Sequence, residues 1–347
     1  MFQPTILQAP RYGFFLKQLG AALLLAACLI HPTVRSQELQ ALEVGKPIER
    51  ELAGGQAHSY QITLAAGQFL DTVVEQKGID VVVTLFGPDG KKLIEVDSPN
   101  GAQGPEPIQW IAAEAGTYRL EVRSPEKEAG VGRYEVKIVE LRAATETDRA
   151  LMKALGLYNE AENLLRGGKY DEAIPLAERA FALREKALGP NHPDIANSLY
   201  NLALLYYAKG NYAKAETFHL RALGIREKAL SPSHTDIANS LNNLAGLYYT
   251  KGDYAKAESL YQRALETLER AFGPNRPEVA TSLNNLAWLY YSKGDYAKAE
   301  TFHLRALEIR GKALGPNHSH VAISLNNLAE LYHTKGDYAK AETFHLR

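Results

Sequence analysis

The sequence predicts two folded parts, an antiparallel β-sandwich followed by an all-α solenoid of stacked helix pairs. Before residue 142, short runs of apolar and β-branched residues alternate with polar ones, which is typical of strands. After residue 151, the motif KGDYAKAE begins at Lys251, Lys293 and Lys335, at a constant interval of 42 residues. A repeat of this length is typical of an array of supersecondary units, so the protein is predicted to be multidomain.

Composition limits the classes of function. The 347 residues carry a formal net charge of −1, so the bulk charge indicates neither nucleic acid nor an anionic membrane as a partner. The only cysteine is Cys28, which excludes a disulfide framework and a cysteine-based zinc site. We also expect no metal site and no cofactor.

Residues 1–36 have the pattern of a secretory signal peptide. Arg11 and Lys17 precede the apolar run LGAALLLAACLI, which is shorter than the roughly 20 residues of a membrane span. We predict cleavage after Ser36. Two alternatives remain: LAAC resembles a bacterial lipobox, in which Cys28 would be lipidated, and an uncleaved segment would act as an anchor. All three interpretations predict export, to the periplasm or the extracellular space of a bacterium.

Residues 37–142 are predicted to form the sandwich. In HSYQITL the alternation places Tyr60, Ile62 and Leu64 on one face, and turns such as GPDG at 87–90 separate the successive runs. The same alternation predicts a set of inward-pointing residues: Ile62, Leu64, Val83, Leu85, Leu120, Val122, Tyr134, Val136 and Ile138. Nothing in this part has the arrangement of a catalytic set.

The strand order of this part resembles the bacterial pre-peptidase C-terminal (PPC) domain, a small β-sandwich appended to secreted enzymes. The matching segments are Gly67-Gln68, Gly78-Ile79-Asp80 and Gly116-Thr117-Tyr118. Many members have two aspartates near the third strand; Asp80 is present here, but Val82 stands in the second position. The resemblance implies either an accessory module that binds or tethers in the cell envelope, or a passive spacer.

Residues 143–150 are predicted as a linker, and residues 151–347 as about four and a half repeats, the last of them truncated. In one repeat, Ile237, Leu241 and Leu244 share a helical face, and Gly252 is placed to end that helix in the left-handed conformation. Asp253 is placed to cap the next helix, whose predicted buried residues include Ala257 and Tyr261. The motif KGDYAKAE is thus the hinge between two antiparallel helices.

These residues resemble the tetratricopeptide repeat pattern. The match within one repeat comprises Leu244, Ala245, Leu247, Tyr248, Gly252, Tyr254, Ala257, Tyr261 and Ala264. The 42-residue period and the LNNLA segment are similar to the long-repeat subclass of kinesin light chains and of many bacterial proteins. The first repeat departs from the pattern at Leu164 and Ala177, which is expected of a repeat that caps the array.

In tetratricopeptide arrays a stripe along each first helix lines a concave groove, so the resemblance implies a peptide-binding surface. We expect this stripe to be exposed and to bind a protein segment through asparagine amides and aromatic rings. Its predicted members are Asn197, Tyr200, Tyr207, Asn239, Asn242, Tyr249, Asn284, Trp288, Tyr291 and Asn326. Asparagines that recur only because the repeat is duplicated, and that bond between repeats, are the alternative.

No motif for catalysis is apparent in the array. The histidines of the second helices, His219, His303 and His345, recur with the repeat, and we expect them to be solvated or partly packed at the surface and not to bind metal. No glycine-flanked nucleophile and no phosphate-binding loop occurs. The sequence therefore predicts an exported, non-catalytic scaffold that binds a protein or peptide partner.

Two other functions remain open. Similar arrays precede the caspase-like CHAT domain, and the sequence stops at Arg347 within a second helix, so the chain could be the regulatory part of a larger protease effector. The second alternative is envelope or saccharide binding through the sandwich. Self-association through the last, uncapped repeat is a further expectation.

Overall fold

The computed structural model describes residues 39–98 and 101–347. The predicted signal peptide and Cys28 lie outside the described residues. The described chain forms two compact units that divide between Met152 and Lys153, and each is described by itself. No helix among the described residues has the length and apolar character needed to cross a membrane.

The first unit consists of two β-sheets. The five-stranded sheet has the order β1-β3-β8-β5-β6 and the four-stranded sheet the order β2-β9-β4-β7. Their bounds are β1 (Gln40–Ala41), β2 (Ile48–Leu52), β3 (Ala57–Leu64), β4 (Gln68–Lys77), β5 (Val82–Phe86), β6 (Lys92–Val96), β7 (Gln103–Ile111), β8 (Gly116–Arg123) and β9 (Gly132–Ala143).

Both sheets contribute to one hydrophobic core. Leu120 of β8 and Val136 of β9 lie in the same buried cluster, and every residue that the alternation places inward is buried. This confirms the predicted sandwich, because strands with period two can bury one face each. All strand pairs are antiparallel except the short β1, which runs parallel to β3.

The predicted linker is wrong in extent. β9 continues to Ala143, and only two residues separate it from helix α1 (Glu146–Arg166). A reciprocal capping arrangement starts this helix: Asp148 N–H donates to Thr145 Oγ1 (3.1 Å), and Thr145 N–H donates to the Asp148 carboxylate (2.7 Å). Arg142 also binds this carboxylate and holds the pKa of Asp148 well below its usual range. The segment is therefore ordered by its own side chains.

The second unit is a helical array. After α1 follow α2 (Tyr170–Leu188), α3 (Pro193–Ala208), α4 (Tyr212–Ala229), α5 (Thr235–Thr250), α6 (Tyr254–Phe272), α7 (Pro277–Ser292), α8 (Tyr296–Leu314), α9 (Ser319–Thr334) and α10 (Tyr338–His345). The odd-numbered helices are the first helices of each repeat, and the even-numbered helices are the second helices. Each of α3, α5, α7 and α9 packs on the second helix of its own repeat and on the second helix of the preceding repeat.

The hinge between the two helices of a repeat has the predicted form. Gly252 adopts φ +78°, a left-handed conformation that ends α5, and the side chain of Asp253 accepts a hydrogen bond from Lys256 N–H at the start of α6. Ala245 and Ala257 are fully buried where α5 and α6 meet. Small residues at these positions let the two helices approach closely.

Candidate protein-interaction surface

We use the name first-helix stripe for the ten residues that the sequence predicts to bind a partner. The structure divides this stripe into a buried and an accessible part. Tyr200, Asn242 and Asn284 are only 5%, 3% and 3% exposed, so the expectation that they face solvent is wrong. The remaining members, Asn197, Tyr207, Asn239, Tyr249, Trp288, Tyr291 and Asn326, are half-buried or exposed.

The buried members bond to the neighbouring repeat. Asn242 Nδ2 donates to Ser282 Oγ (2.9 Å), and Asn327 Nδ2 donates to Asn284 Oδ1 (2.6 Å). Asn243 Nδ2 likewise donates to Tyr200 Oη (3.3 Å). Because these amides bond to the first helix of a neighbouring repeat, they join repeats and are not free for a ligand. A serine that recurs beside the asparagine, as Ser282 does, is the sequence signal that could have indicated this pairing.

The accessible tyrosines form a regular row. Tyr207 Oη bonds with Thr250 Oγ1 (2.9 Å), Tyr249 Oη with Ser292 Oγ (2.7 Å) and Tyr291 Oη with Thr334 Oγ1 (2.8 Å). Each hydroxyl is therefore held by the last residue of the next first helix, and the rings are fixed in place. A binding surface made of such fixed rings loses little entropy when a ligand binds.

Each tyrosine of the row also contacts the first residue of its second helix. The ring centroids are 5.5 Å apart for Tyr207 and Tyr212, and the pairs Tyr249–Tyr254 and Tyr291–Tyr296 are 5.7 Å and 5.6 Å apart. Trp288 adds a further ring, 5.2 Å from Tyr291. The stripe thus carries one tyrosine pair in each of the three middle repeats. The second-helix tyrosines Tyr212, Tyr254 and Tyr296 were not among the residues that the sequence predicts to bind a partner.

Two histidines lie beneath this surface, and their expected surface position is wrong. His219 and His303 are 2% and 1% exposed, and burial together with a nearby arginine lowers the pKa of His219 to about 4 and the pKa of His303 to about 3. His303 has no hydrogen-bond partner for either ring nitrogen within the described chain. The position is buried because it faces the first helix of its own repeat: His219 contacts Tyr200, and His303 contacts Trp288.

Two arginines are also buried without an ion-pair partner in the described residues. Arg226 Nη1 donates to Ser240 Oγ (2.6 Å) and its Nη2 to Asn197 Oδ1 (2.7 Å), whereas Arg310 Nη1 donates to Ser324 Oγ (2.9 Å). Burial lowers the pKa of both guanidinium groups. Between them in the array, the equivalent position is Leu268. Leu268 thus interrupts a series of arginines at this position, Arg184, Arg226 and Arg310.

A second contact joins successive repeats through a glutamate of each second helix. The carboxylate of Glu258 accepts hydrogen bonds from Tyr290 Oη (2.6 Å) and from Lys293 Nζ. Glu216 and Glu300 make the same contacts with the tyrosine and lysine of the repeat that follows each of them. These donors hold the pKa of Glu258 below its usual value. We call this arrangement the carboxylate clamp.

In the described part of the chain, no group of three histidine, cysteine or carboxylate side chains is arranged to hold a metal ion. Stacked helix pairs with recurring glycine hinges define a helical-repeat protein. The tetratricopeptide repeat model matches residues 153–228, 236–312 and 289–347, more than half of the sequence. The chain belongs to the tetratricopeptide repeat family, whose repeats are typically non-catalytic interaction modules.

Solved structures with similar arrays include kinesin-light-chain proteins. A kinesin light chain of Podosopora anserina with nearly identical TPR-like repeats is 23% identical, with 58% of this chain and 93% of that chain covered and a TM-score of 0.51. BtubC (BKLC) from P. vanneervenii is 29% identical, with 58% and 89% covered and a TM-score of 0.45. The first of these likenesses shows the fold of the array. A search of curated proteins found no similar protein.

Proposed function

We propose that the protein is an exported, non-catalytic scaffold that binds an extended segment of a protein partner along the accessible part of the first-helix stripe. The observation that carries this proposal is the regular row of half-exposed tyrosines, Tyr207, Tyr249 and Tyr291, each fixed by a hydrogen bond to the next repeat. Fixed aromatic rings supply contact area at a small entropic cost.

Polar groups beside the rings support binding of a main chain. Asn326 is exposed, and Asn239 is half-buried on the same stripe. An asparagine side chain can donate to a carbonyl and accept from an N–H at the same time, so it can pair with an extended backbone. Export rests on the N-terminal pattern of basic and apolar residues alone, and the sandwich is proposed as an accessory module of PPC type.

Trp288 is the residue to test. A random peptide library displayed on phage is selected on the full chain, and the affinity of the selected peptides is then measured by titration calorimetry. We expect Trp288→Ala to weaken binding by about tenfold or more, because aromatic anchors carry most of the energy of such interfaces. The melting temperature should change little, since the indole is half-exposed.

Phe272→Ala is the matched control, because Phe272 is an exposed aromatic residue at the end of a second helix and outside the stripe. This control should bind the selected peptides as the unmodified chain does. Equal losses in both variants, or a library that yields no binder at all, would contradict the proposed function.

A further inference from the structure

A notch interrupts the first-helix stripe at Gly246. The equivalent positions of the other repeats carry Glu162, Leu204, Trp288 and Glu330, so only this repeat lacks a side chain there. A Cβ atom at Gly246 would lie 3.5 Å from Tyr261 Oη, which means that the tyrosine hydroxyl faces the space that the missing side chain leaves. Glycine in the middle of a helix is unfavourable, and here it opens a site.

The floor and walls of the notch are phenolic. Tyr249 follows Gly246 by three residues on the same helical face, and Tyr207 Oη bonds with Thr250, whose Oγ1 donates to Gly246 O (3.0 Å). Burial raises the pKa of Tyr261. Tyr261 Oη is therefore protonated at neutral pH, and it has no hydrogen-bond partner among the residues that the structure describes. The hydroxyls of Tyr207 and Tyr249 are already bonded to Thr250 and Ser292. The notch thus offers one unused donor between two aromatic rings.

The spacing of the aromatic pairs fits one type of backbone. Successive first helices lie side by side, joined by the hydrogen bonds Tyr207–Thr250 and Tyr249–Ser292, and α3, α5 and α7 each carry the tyrosine of one aromatic pair. Helices packed in this way are typically about 8–10 Å apart. A polyproline II helix rises about 3.1 Å per residue with three residues per turn, so one turn spans about 9 Å. Every third residue of such a segment would meet the next aromatic pair.

The chemistry of the notch points the same way. Proline has no N–H, so a proline-containing segment offers carbonyl oxygens that need donors. Tyr261 Oη is such a donor, and proline rings pack well on aromatic side chains in recognition grooves. The side chains that line the notch, Tyr207, Tyr249 and Tyr261, are uncharged, so they favour no charged ligand.

We infer that the first-helix stripe takes a proline-containing segment in the polyproline II conformation, with one proline seated in the notch at Gly246 and a carbonyl of the segment accepting a hydrogen bond from Tyr261 Oη. This inference rests on the proposed function and names the chemistry of its partner. The partner is thereby an extended protein segment with prolines about three residues apart.

The test uses the full chain and a fluorescein-labelled decaproline peptide, with a labelled glycine-serine peptide of the same length as the reference. Fluorescence anisotropy should give an affinity for decaproline at least about tenfold higher than for the reference. Gly246→Leu fills the notch with the side chain that Leu204 carries in the preceding repeat, and it should lower the affinity by about tenfold or more. Tyr261→Phe removes only the donor and should lower it by about threefold to tenfold.

Gly311→Glu is the matched control. Gly311 is also a glycine inside a helix, the space around its Cβ position is open, and Glu227 and Glu269 occupy the equivalent positions. This variant should bind decaproline unchanged. The circular dichroism spectrum should be unchanged and the melting temperature should not fall in either glycine variant, which separates a filled notch from a misfolded array.

Equal affinity for decaproline and the glycine-serine peptide would overturn the inference, and so would decaproline binding that is unaffected by Gly246→Leu and Tyr261→Phe. The phage selection distinguishes the two proposals. Selected peptides that lack proline but lose affinity with Trp288→Ala would leave the proposed function standing and the proline inference overturned. The absence of any selected peptide, together with no binding of decaproline, would remove both.

Discussion

The imidazole of His303 meets the indole of Trp288 edge-on, with ring centroids 5.5 Å apart and ring planes at 81°. One ring is buried within the pair α7–α8, and the other is half-exposed on the first-helix stripe. The accessible surface is therefore in direct contact with a buried titratable group.

His303 should make the array sensitive to acid. Burial holds the pKa of His303 at about 3 in the folded chain, below the unfolded value near 6.5. A depressed histidine pKa contributes stability above pH 6.5, and this stability is lost as the pH falls from 6.5 towards 3. At about pH 5 the loss is on the order of 2 kcal/mol relative to pH 7.

His303→Leu should remove this loss, because leucine does not titrate and the imidazole has no hydrogen bond to give up. Urea denaturation near neutral pH and near pH 5 measures how the unfolding free energy of each protein changes with pH. The carboxylate clamps are present in both proteins, so their titration does not affect the comparison. His345→Tyr, at the exposed equivalent position, is the control and should keep the original pH dependence. An unchanged slope in His303→Leu would mean that the ring is solvated in solution.

Replacing Arg310 by leucine and replacing Leu268 by arginine should have different effects on stability. Arg310 is buried without a carboxylate partner in the described chain, so Arg310→Leu removes a desolvation cost together with its hydrogen bonds, and we expect a change within about 1 kcal/mol. Leu268→Arg places a charge in an apolar cluster that includes Val279 and Leu283, and it should destabilise by about 3 kcal/mol or more. Urea midpoints compare the two; similar losses would contradict the argument.

Arg310 also lowers the pKa of His303. In Arg310→Leu the histidine should therefore titrate at a higher pH than in the unmodified chain. Nuclear magnetic resonance of the imidazole Cε1–H signal follows this titration directly. A histidine pKa that stays the same or falls would show that the charge of Arg310 does not reach the ring.

The carboxylate clamp should couple neighbouring repeats. Tyr290→Phe removes one of the two donors to Glu258 and should destabilise the array by about 1 kcal/mol. A double-mutant cycle with Glu258→Gln should give a coupling energy of about 0.5 kcal/mol or more. Tyr296→Phe is the control. The hydroxyl of Tyr296 has no hydrogen-bond partner within the described residues, so we expect this variant to have no effect on stability. Additive losses in the cycle would mean that the hydroxyl and the carboxylate do not interact.

Any side chain at the hinge glycine should lower the stability of the array. Gly252 adopts φ +78°, a conformation that costs other residues about 1–2 kcal/mol, so Gly252→Ala should lower the unfolding free energy by about 1 kcal/mol. Gly311→Ala provides the comparison, because this glycine lies inside α8 without a positive φ and should gain up to about 1 kcal/mol. Equal effects of the two variants on the thermal midpoint would contradict this assignment.

Much of the fold follows from local patterns. Alternation predicted the buried faces of the strands, and Gly252 with Asp253 predicted the hinge, because each depends on residues close in sequence. The start of α1 was missed, although Thr145 and Asp148 have the spacing of a capping box. The first-helix N-caps were also missed: His192 Nδ1 accepts from Asp194 N–H (3.2 Å), a role that histidine seldom has.

The candidate surface was harder to predict because burial there depends on the neighbouring repeat. A helical face drawn from one repeat places Asn242 beside Tyr249, yet only the first is covered, by Ser282 of the next first helix. The same limit applies to His303, which a single repeat does not distinguish from the exposed His345. Comparison of equivalent positions across the repeats, as for Gly246 and Trp288, does indicate where the surface varies.

The carboxylate clamp has a mechanical consequence. Glu216, Glu258 and Glu300 are each gripped by the repeat that follows, and each grip involves only adjacent units. A pulling force along the array would break the carboxylate clamps one after another, and each broken clamp would release a segment of one repeat length. Such a chain would lengthen in equal steps under load and recoil when the load is removed, as a spring of identical coils does.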